Sequence, residues 1–356
     1  MADRPRASRA GHNPSLADVA ALAGVSRGTV SNVLNHPGIV APSTLERVQN
    51  AIATLGYVRN DAARALAAGK SKSIGFVSTN IENSLFVDMI HGAQSGSRDA
   101  NMTILIGNSA DDLAQQNAYL DLFDEARVAG VLLAPMEDPT DGIKRMRSHG
   151  RQLVLLNYRP HDHDCCVVLV DNEQVGYLAA RHLIDRGCTR LVYLASHENW
   201  QPVHYRRLGV RRAVAESGGT VTLQEVDKEQ LDFANGAEYA AQFLLEPTAT
   251  RADGVVAVTD ELANGFMDGV VRGGLSVPRD VAIVGCENNR AAPRGPVSLT
   301  TVEMNGEAMG LAATSLLIEE ISVPADEHEH RVVMLEPVLV PRASTFGTYL
   351  GADSSP

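Results

Sequence analysis

The sequence predicts a small all-α unit followed by an α/β protein that contains two doubly wound parallel sheets. Residues 15–35, SLADVAALAGVSRGTVSNVLN, have the apolar spacing of two short helices on either side of a glycine. From residue 73 onward, short apolar runs typical of strands alternate with segments of helical periodicity, and a second such series follows the first. The chain of 356 residues is long enough for two or three domains of ~100–200 residues each.

The first two predicted helices have the pattern of a helix-turn-helix. Gly24 is expected to end the helix LADVAALA, because glycine adopts the left-handed conformation freely, and Ser26 is placed to cap the next helix. That helix should bury Val30, Val33 and Leu34. Its outer face is then polar and consists of Arg27, Gly28, Ser31 and Asn32. In a helix-turn-helix the second helix enters the DNA major groove; an alanine-rich helical hairpin inside a larger core is the alternative.

The residues that follow predict a third helix and a short connector. Residues 43–46, STLE, have the form of a capping box, and apolar residues at helical spacing continue from there to Leu55. Asn60 is placed to cap the segment DAARALA, which ends before Gly69. We therefore expect a compact three-helix unit with a brief helical connector.

Charge is distributed unevenly along the chain. The net charge is -12, yet residues 1–72 contain nine Lys or Arg and four Asp or Glu, a balance of +5, and the remainder carries -17. This asymmetry favours contact between the N-terminal end and a polyanion such as DNA. The N-terminus has no hydrophobic stretch typical of a secretory signal, and no apolar run reaches the ~20 residues that a membrane span needs. We expect a cytoplasmic protein with no membrane partner.

Motifs for catalysis, cofactors and metals are weak or missing. The phosphate-binding motifs GxGxxG and GxxxxGK[ST] and the nucleophile motif GxSxG do not occur, so we predict that the protein is not an enzyme and binds no cofactor. Catalysis by a carboxylate pair such as Asp260 and Glu287 is the alternative. The segment HDHDCC at 161–166 and the run 328–330, HEH, contain metal-binding residue types without the paired spacing of a structural zinc site. We predict no metal. The cysteines lack CxxC spacing and should be reduced; they are Cys165, Cys166, Cys188 and Cys286.

The run LADVAALAGVSRGTVSNVLN and the run VAPSTLERVQNAIATLGYVRNDAARALAAGKSKSIGFV together resemble the LacI/GalR family of bacterial transcription regulators. The resemblance continues more weakly through VDNEQVGYLAARHLIDRG, YRRLG, VTDELANG, AIVG, LTTVEMNGEAMG and LEPVLVPRAST. It covers roughly residues 15–345. It implies a helix-turn-helix DNA-binding domain followed by an effector domain of the periplasmic-binding-protein type I fold.

The resemblance implies roles for residues of the DNA-binding part. Base readout falls to Arg27, Gly28 and Asn32; glycine is a departure, because it has no side chain to contact a base. The implied minor-groove hinge contains Ala63, Leu66 and Ala67, with Leu66 as a wedge that bends the duplex, and a plain linker is the alternative. The candidate phosphate contacts are Ser26, Thr29, Ser31, Asn35, Thr44, Tyr57 and Asn60.

The resemblance also implies an effector cleft between two subdomains. Asn157 and Glu287 stand where sugar-binding members commonly carry aspartates, so a sugar or other polar metabolite is favoured and a purine-like or anionic ligand stays open. Arg206 can bind a carboxylate or hydroxyls, and Trp200 can stack on a sugar face or a planar ring. The implied lining residues are Phe86, Asn157, Trp200, Arg206, Asp260 and Glu287.

Together these inferences predict a sequence-specific repressor that binds a palindromic operator as a homodimer and responds to a small-molecule effector. A small-molecule sensor of the same fold without DNA regulation is the alternative. The expected domains are a disordered basic tail (1–14), the helix-turn-helix domain (15–59), a hinge helix and linker (60–72), an effector-binding and dimerisation domain (73–346) and a C-terminal tail (347–356). The chain should cross between subdomains near residues 171, 301 and 331, and the helix NGEAMGLAATSLLIEEI should return to the first subdomain.

Overall fold

The computed structural model describes residues 14–57, 71–135, 137–160, 164–196, 200–290, 292–324 and 327–346. The chain divides into two compact units, residues 1–69 and residues 70–356. None of the described helices combines the length and the apolar character that crossing a lipid bilayer requires. The expectations for the tail at 1–13, for the C-terminal tail and for Asn60, Ala63, Leu66 and Ala67 concern residues outside the described ranges.

Residues 14–57 of the first unit form three α-helices: α1 (Leu16–Ala23), α2 (Arg27–Asn35) and α3 (Pro42–Leu55). Gly24 follows α1 in the left-handed conformation, with φ of 63°, and the Ser26 hydroxyl caps α2 by accepting the Thr29 N–H at 3.1 Å. The predicted end of α1 and the predicted cap of α2 are thus confirmed. Val19, Val30 and Val48 have no solvent exposure and form the centre of a small apolar core.

The predicted capping box at residues 43–46 is wrong. Helix α3 begins two residues earlier than a Ser43 cap would place it, at Pro42, and no side-chain hydrogen bond from a described residue caps it. Proline at the first helical position has no N–H to satisfy, and its fixed φ already suits a helix. Ser43 therefore lies inside the first turn, where its hydroxyl no longer occupies the capping position. The helix ends at Gly56, which has φ of 62°.

The described strands of the second unit form two six-stranded sheets. The first has the order β11-β5-β4-β3-β1-β2, and all its paired strands are parallel. Its strands are β1 (Ser73–Ser78), β2 (Thr103–Asn108), β3 (Gly130–Leu133), β4 (Gln152–Leu156), β5 (Cys166–Val170) and β11 (Val332–Leu335).

The second sheet has the order β12-β10-β9-β8-β6-β7 and is parallel except for β12, which runs antiparallel to β10. Its strands are β6 (Arg190–Ser196), β7 (Thr222–Lys228), β8 (Gly254–Ala257), β9 (Ala282–Glu287), β10 (Thr300–Glu303) and β12 (Val338–Val340). The central strands of both sheets are fully buried, which is typical of doubly wound sheets with helices on both faces.

Eight further helices are described around these sheets. They are α4 (Ser84–Asp99), α5 (Leu113–Glu125), α6 (Thr140–Ser148), α7 (Asn172–Asp185), α8 (Gln201–Ala215), α9 (Phe233–Leu245), α10 (Asp260–Arg272) and α11 (Gly306–Ser322). With the first unit, they complete the predicted combination of an α-helical N-terminal part and two parallel-sheet subdomains.

The chain passes between the two sheets three times. It leaves the first sheet after β5 at Asp171 and returns after β10, at Met304 and Asn305. The third passage lies at Glu336 and Pro337, a few residues beyond the expected position near 331, because β11 first adds four residues to the edge of the first sheet. Each subdomain is therefore assembled from separate parts of the chain.

Helix α11 returns to the first subdomain, as predicted, and packs closely on α4. The approach depends on glycine at the contact. A β-carbon on Gly92 would lie 1.9 Å from the Glu307 carbonyl oxygen, and one on Gly310 would lie 1.8 Å from the Met89 carbonyl oxygen. The backbones of the two helices therefore meet where side chains are missing, which fixes the helix pair against the first sheet.

Candidate functional site

One candidate site is the outer face of α2 in the first unit. Arg27, Gly28 and Asn32 are exposed, whereas Val30 and Val33 on the opposite side are buried. The Ser26 N-cap fixes where the helix starts, and this start sets which residues face outward. The predicted base-reading positions therefore share one solvent-facing surface that can lie against another molecule.

The hydroxyl and amide groups around α2 are partly engaged with one another. Ser26 Oγ lies 2.9 Å from Thr29 Oγ1, and Asn35 Nδ2 donates to Ser31 Oγ at 3.2 Å. Tyr57 is half-buried because its ring packs against the apolar core of the unit. Thr44 is also half-buried. These local bonds hold polar groups around the helix.

A second candidate site lies in the cleft of residues 70–356, where the carboxyl ends of the parallel strands from both sheets face one cavity of about 370 Å³. Ligands bind preferentially at this position in doubly wound sheets, and the volume falls within the usual range for small-molecule pockets. The residues that line the cavity are Thr79, Asn80, Glu82, Asn83, Leu85, Phe86, Asp111, Ala134, Pro135, Leu156, Asn157, Trp200, Pro202, Val203, Arg206, Gln230, Leu231, Asp232, Phe233, Thr259, Glu261 and Glu287.

The structure brings five of the six implied effector residues to this cavity: Phe86, Asn157, Trp200, Arg206 and Glu287. Asp260 is a correction, because it is fully buried beneath the cavity and is not among the described lining residues. Its carboxylate accepts hydrogen bonds from the Thr301 hydroxyl at 2.6 Å and from the Asn289 N–H at 2.8 Å. Burial, reinforced by the charge of Glu287, raises the pKa of Asp260 well above its ordinary value.

Glu261 lines the cavity in place of Asp260. The two residues open α10, and successive helical residues point about 100° apart, so only one of them can face the cleft. The implied residue Asp260 therefore lies one position from the side chain that lines the cavity. Burial also raises the pKa of Glu261.

Arg206 provides a buried positive charge in the floor of the cavity. Its guanidinium donates to Asn172 Oδ1 at 2.9 Å, to the Val258 carbonyl at 2.6 Å and to Met304 Sδ at 3.1 Å. Its Nη1 also lies 3.8 Å from Glu287 Oε1. The planar fork of donors is thus held in one orientation by groups from several elements.

Glu287 faces Arg206 from the end of β9. It accepts hydrogen bonds from Asn83 Nδ2 at 2.9 Å and from Asn289 Nδ2 at 3.3 Å. Burial raises the pKa of Glu287 to about 7, and the nearby Arg206 charge opposes part of that rise. Because Asn83 precedes α4 in the first subdomain, the Asn83–Glu287 bond joins the two sides of the cleft.

Asn157 and Asn172 extend this hydrogen-bond network. Asn172 Nδ2 donates to Asn157 Oδ1 at 2.8 Å, and Asn172 Oδ1 accepts from Arg206. Asn157 has φ of 53° at the end of β4, a left-handed conformation that asparagine tolerates better than most residues.

Asn83 and Asn172 were missed by sequence reasoning. Their position could have identified them, because each lies at the start of a helix, α4 or α7, in the segment that follows a strand.

The lining carries more negative than positive groups. Arg206 is the one cationic side chain among the described lining residues, whereas five carboxyl groups line the cavity: Glu82, Asp111, Asp232, Glu261 and Glu287. Three aromatic rings supply apolar surface: Phe86, Trp200 and Phe233. Carboxylate and amide oxygens accept hydrogen bonds from hydroxyl and N–H groups, and those carboxyl groups that are ionised repel anions. This lining suits a small neutral molecule with many hydrogen-bond donors and an apolar face.

The raised pKa of Glu287 gives the stability of the second unit a definite pH dependence. At pH values between 4.5, the ordinary pKa of the group, and about 7, the Glu287 carboxyl is protonated in the folded state and ionised in the unfolded state. Stability therefore falls as pH rises through that window. We predict that the parent protein loses ~2.5 kcal/mol of unfolding free energy between pH 5 and pH 8 through this group, and that the Glu287→Gln variant does not show this loss.

Denaturant unfolding of the parent protein and the Gln variant at both pH values measures this difference. A variant that loses as much stability as the parent between pH 5 and pH 8 would contradict the assignment of a raised pKa to Glu287.

Comparisons with known proteins place this architecture in context. A family model described as bacterial regulatory proteins, lacI family, matches residues 15–60, and one described as a periplasmic binding protein-like domain matches residues 180–345. A relative in Vibrio campbellii named HTH-type transcriptional repressor PurR is 30% identical over 92% of this chain and 97% of its own length. One of the same name in Photobacterium profundum is 29% identical over 93% and 98%, respectively.

Solved structures show the same fold. A lacI-family transcriptional regulator from Silicibacter pomeroyi superposes with a TM-score of 0.80 at 20% identity, covering 93% of this chain and 99% of that one. A complex of the transcriptional regulator CelR with cellobiose has a TM-score of 0.67 at 25% identity, covering 93% and 100%. The lac repressor dimer bound to operator and an anti-inducer has a TM-score of 0.76 at 21% identity, covering 94% and 99%.

Proposed function

The chain belongs to the LacI family of bacterial regulatory proteins, and from this premise we propose that it represses transcription as a homodimer on a palindromic operator, under the control of a small neutral effector rich in hydroxyl groups. Members of this family are DNA-binding transcriptional repressors and not enzymes. The proposal rests on one observation: the same chain has an exposed polar face on α2, which can contact DNA, and a cavity around Arg206, which can hold an effector. A sensor without DNA regulation would have no use for the first part.

Direct base readout rests on two side chains of α2. Arg27 can donate two hydrogen bonds to guanine, and Asn32 can donate to and accept from adenine, each pairing being worth ~1–3 kcal/mol of discrimination. Gly28 contributes no base contact, so specificity also depends on DNA shape at that step. We propose Ser26, Thr29, Ser31, Asn35, Thr44, Tyr57 and Asn60 as phosphate contacts that fix the register.

A hinge between the two units is the second part of the DNA proposal. Residues 60–72 would fold against the minor groove, with Leu66 inserted between base pairs and Ala63 and Ala67 allowing two such segments to approach each other closely. An apolar wedge of this kind unstacks a base step and bends the duplex, which extends the contact with the protein. The domain limits proposed are 15–59 for DNA binding and 73–346 for effector binding and dimerisation, in a cytoplasmic protein.

Dimerisation through the first subdomain is supported by apolar surface at the edge of its sheet. Strand β2 is an edge strand, and its Leu105 and Ile106 are 38% and 46% exposed. Leu122 on the neighbouring α5 is also exposed. Exposed apolar edge strands are a hazard unless another surface covers them, and a second copy of the chain would do so. Two-fold symmetry of the protein then requires a palindromic DNA site.

A neutral polyhydroxyl effector fits the lining described above. The five carboxyl groups disfavour an anion, and the cleft network supplies fixed donors from Arg206 and Asn83 next to acceptors from Glu287 and Asn157. The CelR regulator, 25% identical, forms a complex with cellobiose. A sugar or polyol is therefore the class we propose, and a neutral nucleobase is the second candidate because Trp200 and Phe86 offer ring faces.

Selection of bound sequences from a random DNA pool tests the DNA proposal. We predict that the full-length protein enriches a palindrome with a central CG-like step. The Arg27→Ala variant should lose preference at one base pair of each half-site and bind the selected site at least ~30-fold more weakly, since two equivalent contacts are removed from the dimer.

Glu46→Ala is the matched control, because Glu46 is exposed on α3 of the same unit and carries no proposed contact. It should enrich the same palindrome as the parent. Recovery of no common sequence by the parent protein, or of an unchanged motif by Arg27→Ala, would overturn the proposed readout.

Trp200 makes effector binding directly visible, because it is the single tryptophan of the sequence and it lines the cavity. We predict that a neutral sugar or polyol changes its emission in a saturable manner, whereas simple carboxylates do not. Arg206→Met should weaken the saturable response at least ~10-fold, since the hydrogen bonds of a charged donor are lost.

Arg212→Met serves as the control, since Arg212 lies on the outer face of the same helix and pairs with Glu173. Its titration should match that of the parent. If no member of a panel of sugars, polyols and nucleobases alters the emission, or if only anions do, the proposed effector class is wrong.

A further inference from the structure

Four side chains of metal-binding types meet at the β11 edge of the first sheet, away from the cleft. Cys166 begins β5, Glu320 lies in the last turn of α11, and His328 and His330 precede β11. One donor atom from each residue can be chosen so that all four lie within 4.8 Å of one another. We call this group the edge cluster.

Four donor–donor distances in the edge cluster are close to those of a tetrahedral site, and the chosen donor atoms all lie within 4.8 Å of one another. Cys166 Sγ lies 3.2 Å from His328 Nε2 and 3.9 Å from His330 Nδ1. The carboxylate oxygens of Glu320 lie 3.8 Å from His328 Nε2 and 3.8 Å from His330 Nδ1. Ligands of a tetrahedral Zn²⁺ ion at the usual bond lengths are separated by roughly 3.2–3.8 Å, so only small side-chain movements are needed.

Burial provides an independent reason to expect a cation. The side chain of Glu320 is 2% exposed, that of His328 is 3% exposed, and Cys166 is fully buried. Glu320 Oε2 has no hydrogen-bond partner among the described residues. A buried carboxylate oxygen without a partner is costly, and a positive ion at the centre of the cluster would compensate it.

We propose that the edge cluster binds one Zn²⁺ ion, with Cys166 Sγ, Glu320, His328 Nε2 and His330 Nδ1 as ligands. Thiolate and imidazole ligands select zinc over magnesium or calcium, and four protein ligands make a closed structural site. The thiolate and the carboxylate together neutralise the two charges of the ion. The Arg331 N–H also donates to Cys166 Sγ at 3.4 Å, so the sulfur is already held in place by the backbone.

Arg147 has to move for the ion to bind. Its Nη1 lies 2.7 Å from His330 Nε2, and because arginine can only donate, Nε2 accepts and the proton of a neutral ring sits on Nδ1. Binding of Zn²⁺ through Nδ1 transfers that proton to Nε2, which can no longer accept from Arg147. The thiol proton of Cys166 is released to solvent. Arg147 is therefore an electrostatic competitor of the ion.

The ion would join three segments that are far apart in the sequence. It would fasten the residues just before β11 to β5 and to the end of α11, and β11 leads directly into the third passage between the sheets. Binding to the folded chain alone contributes to stability by mass action. This site is independent of the proposed operator and effector, so its test stands separately from theirs.

Titration of the chelator-treated, full-length protein with Co²⁺ and then with Zn²⁺ tests the proposal. Co²⁺ should bind at one equivalent per chain and show a thiolate-to-metal charge-transfer band together with the visible bands of tetrahedral coordination. Zn²⁺ should displace it and abolish both signals. Thermal unfolding with and without Zn²⁺ should show a higher midpoint for the loaded protein.

Variants separate the edge cluster from other thiols and imidazoles. Cys166→Ser should abolish the charge-transfer band, and both Cys166→Ser and His328→Gln should weaken Zn²⁺ binding ~100-fold or more. Cys165→Ser is the matched control, because this neighbouring thiol is buried in the other apolar cluster of the subdomain, and it should bind like the parent. Arg147→Gln should bind Zn²⁺ more tightly, since a competing charge is removed.

The proposal is overturned if the folded parent shows no saturable binding of Zn²⁺ or Co²⁺ at one equivalent. It is equally overturned if Cys166→Ser and His328→Gln retain the parent affinity, or if Cys165→Ser loses the charge-transfer band. Circular dichroism of each variant without metal establishes that it is folded, and His328→Gln decides the outcome where Cys166→Ser fails to fold.

Discussion

A buried guanidinium imposes the main constraint on the cleft of this protein. Arg206 has lost almost all contact with water, so its charge must be compensated by groups that the fold holds around it. Asn172, the Val258 carbonyl and Met304 accept its hydrogen bonds, and Glu287 supplies the opposite charge. Because Glu287 is also bonded to Asn83 of the first subdomain, compensation of one charge links both sides of the cleft.

Under the proposed function, the same constraint gives an effector a means to act beyond the cavity. A ligand in the cavity would exchange hydrogen bonds with a network that joins the two subdomains, so its affinity would differ between arrangements of that network. Only such a difference in affinity lets a ligand shift an equilibrium between two forms. In a LacI-family repressor the second form differs in its affinity for the operator, and the two binding events are then coupled reciprocally.

Local rules predicted the helices of the first unit well, because Gly24 and Ser26 act on their immediate neighbours. The start of α3 was missed because Pro42 competed with an apparent capping box at the next residue. In the cleft, the sequence identified Arg206 and Glu287 through the family resemblance but placed Asp260 where Glu261 stands. Asn83 and Asn172 escaped notice, as did the meeting of Cys166 with His328, since such contacts depend on how distant segments pack and leave no local pattern.

The affinity of the full-length protein for its selected operator, measured with and without a saturating cleft ligand at constant salt, tests the central claim most directly. The account predicts a change of at least ~5-fold in the operator dissociation constant. The same factor should appear in the ligand affinity when operator is added, and both changes should disappear in the Arg206→Met variant. An operator affinity that stays the same when the cleft is fully occupied would contradict the account.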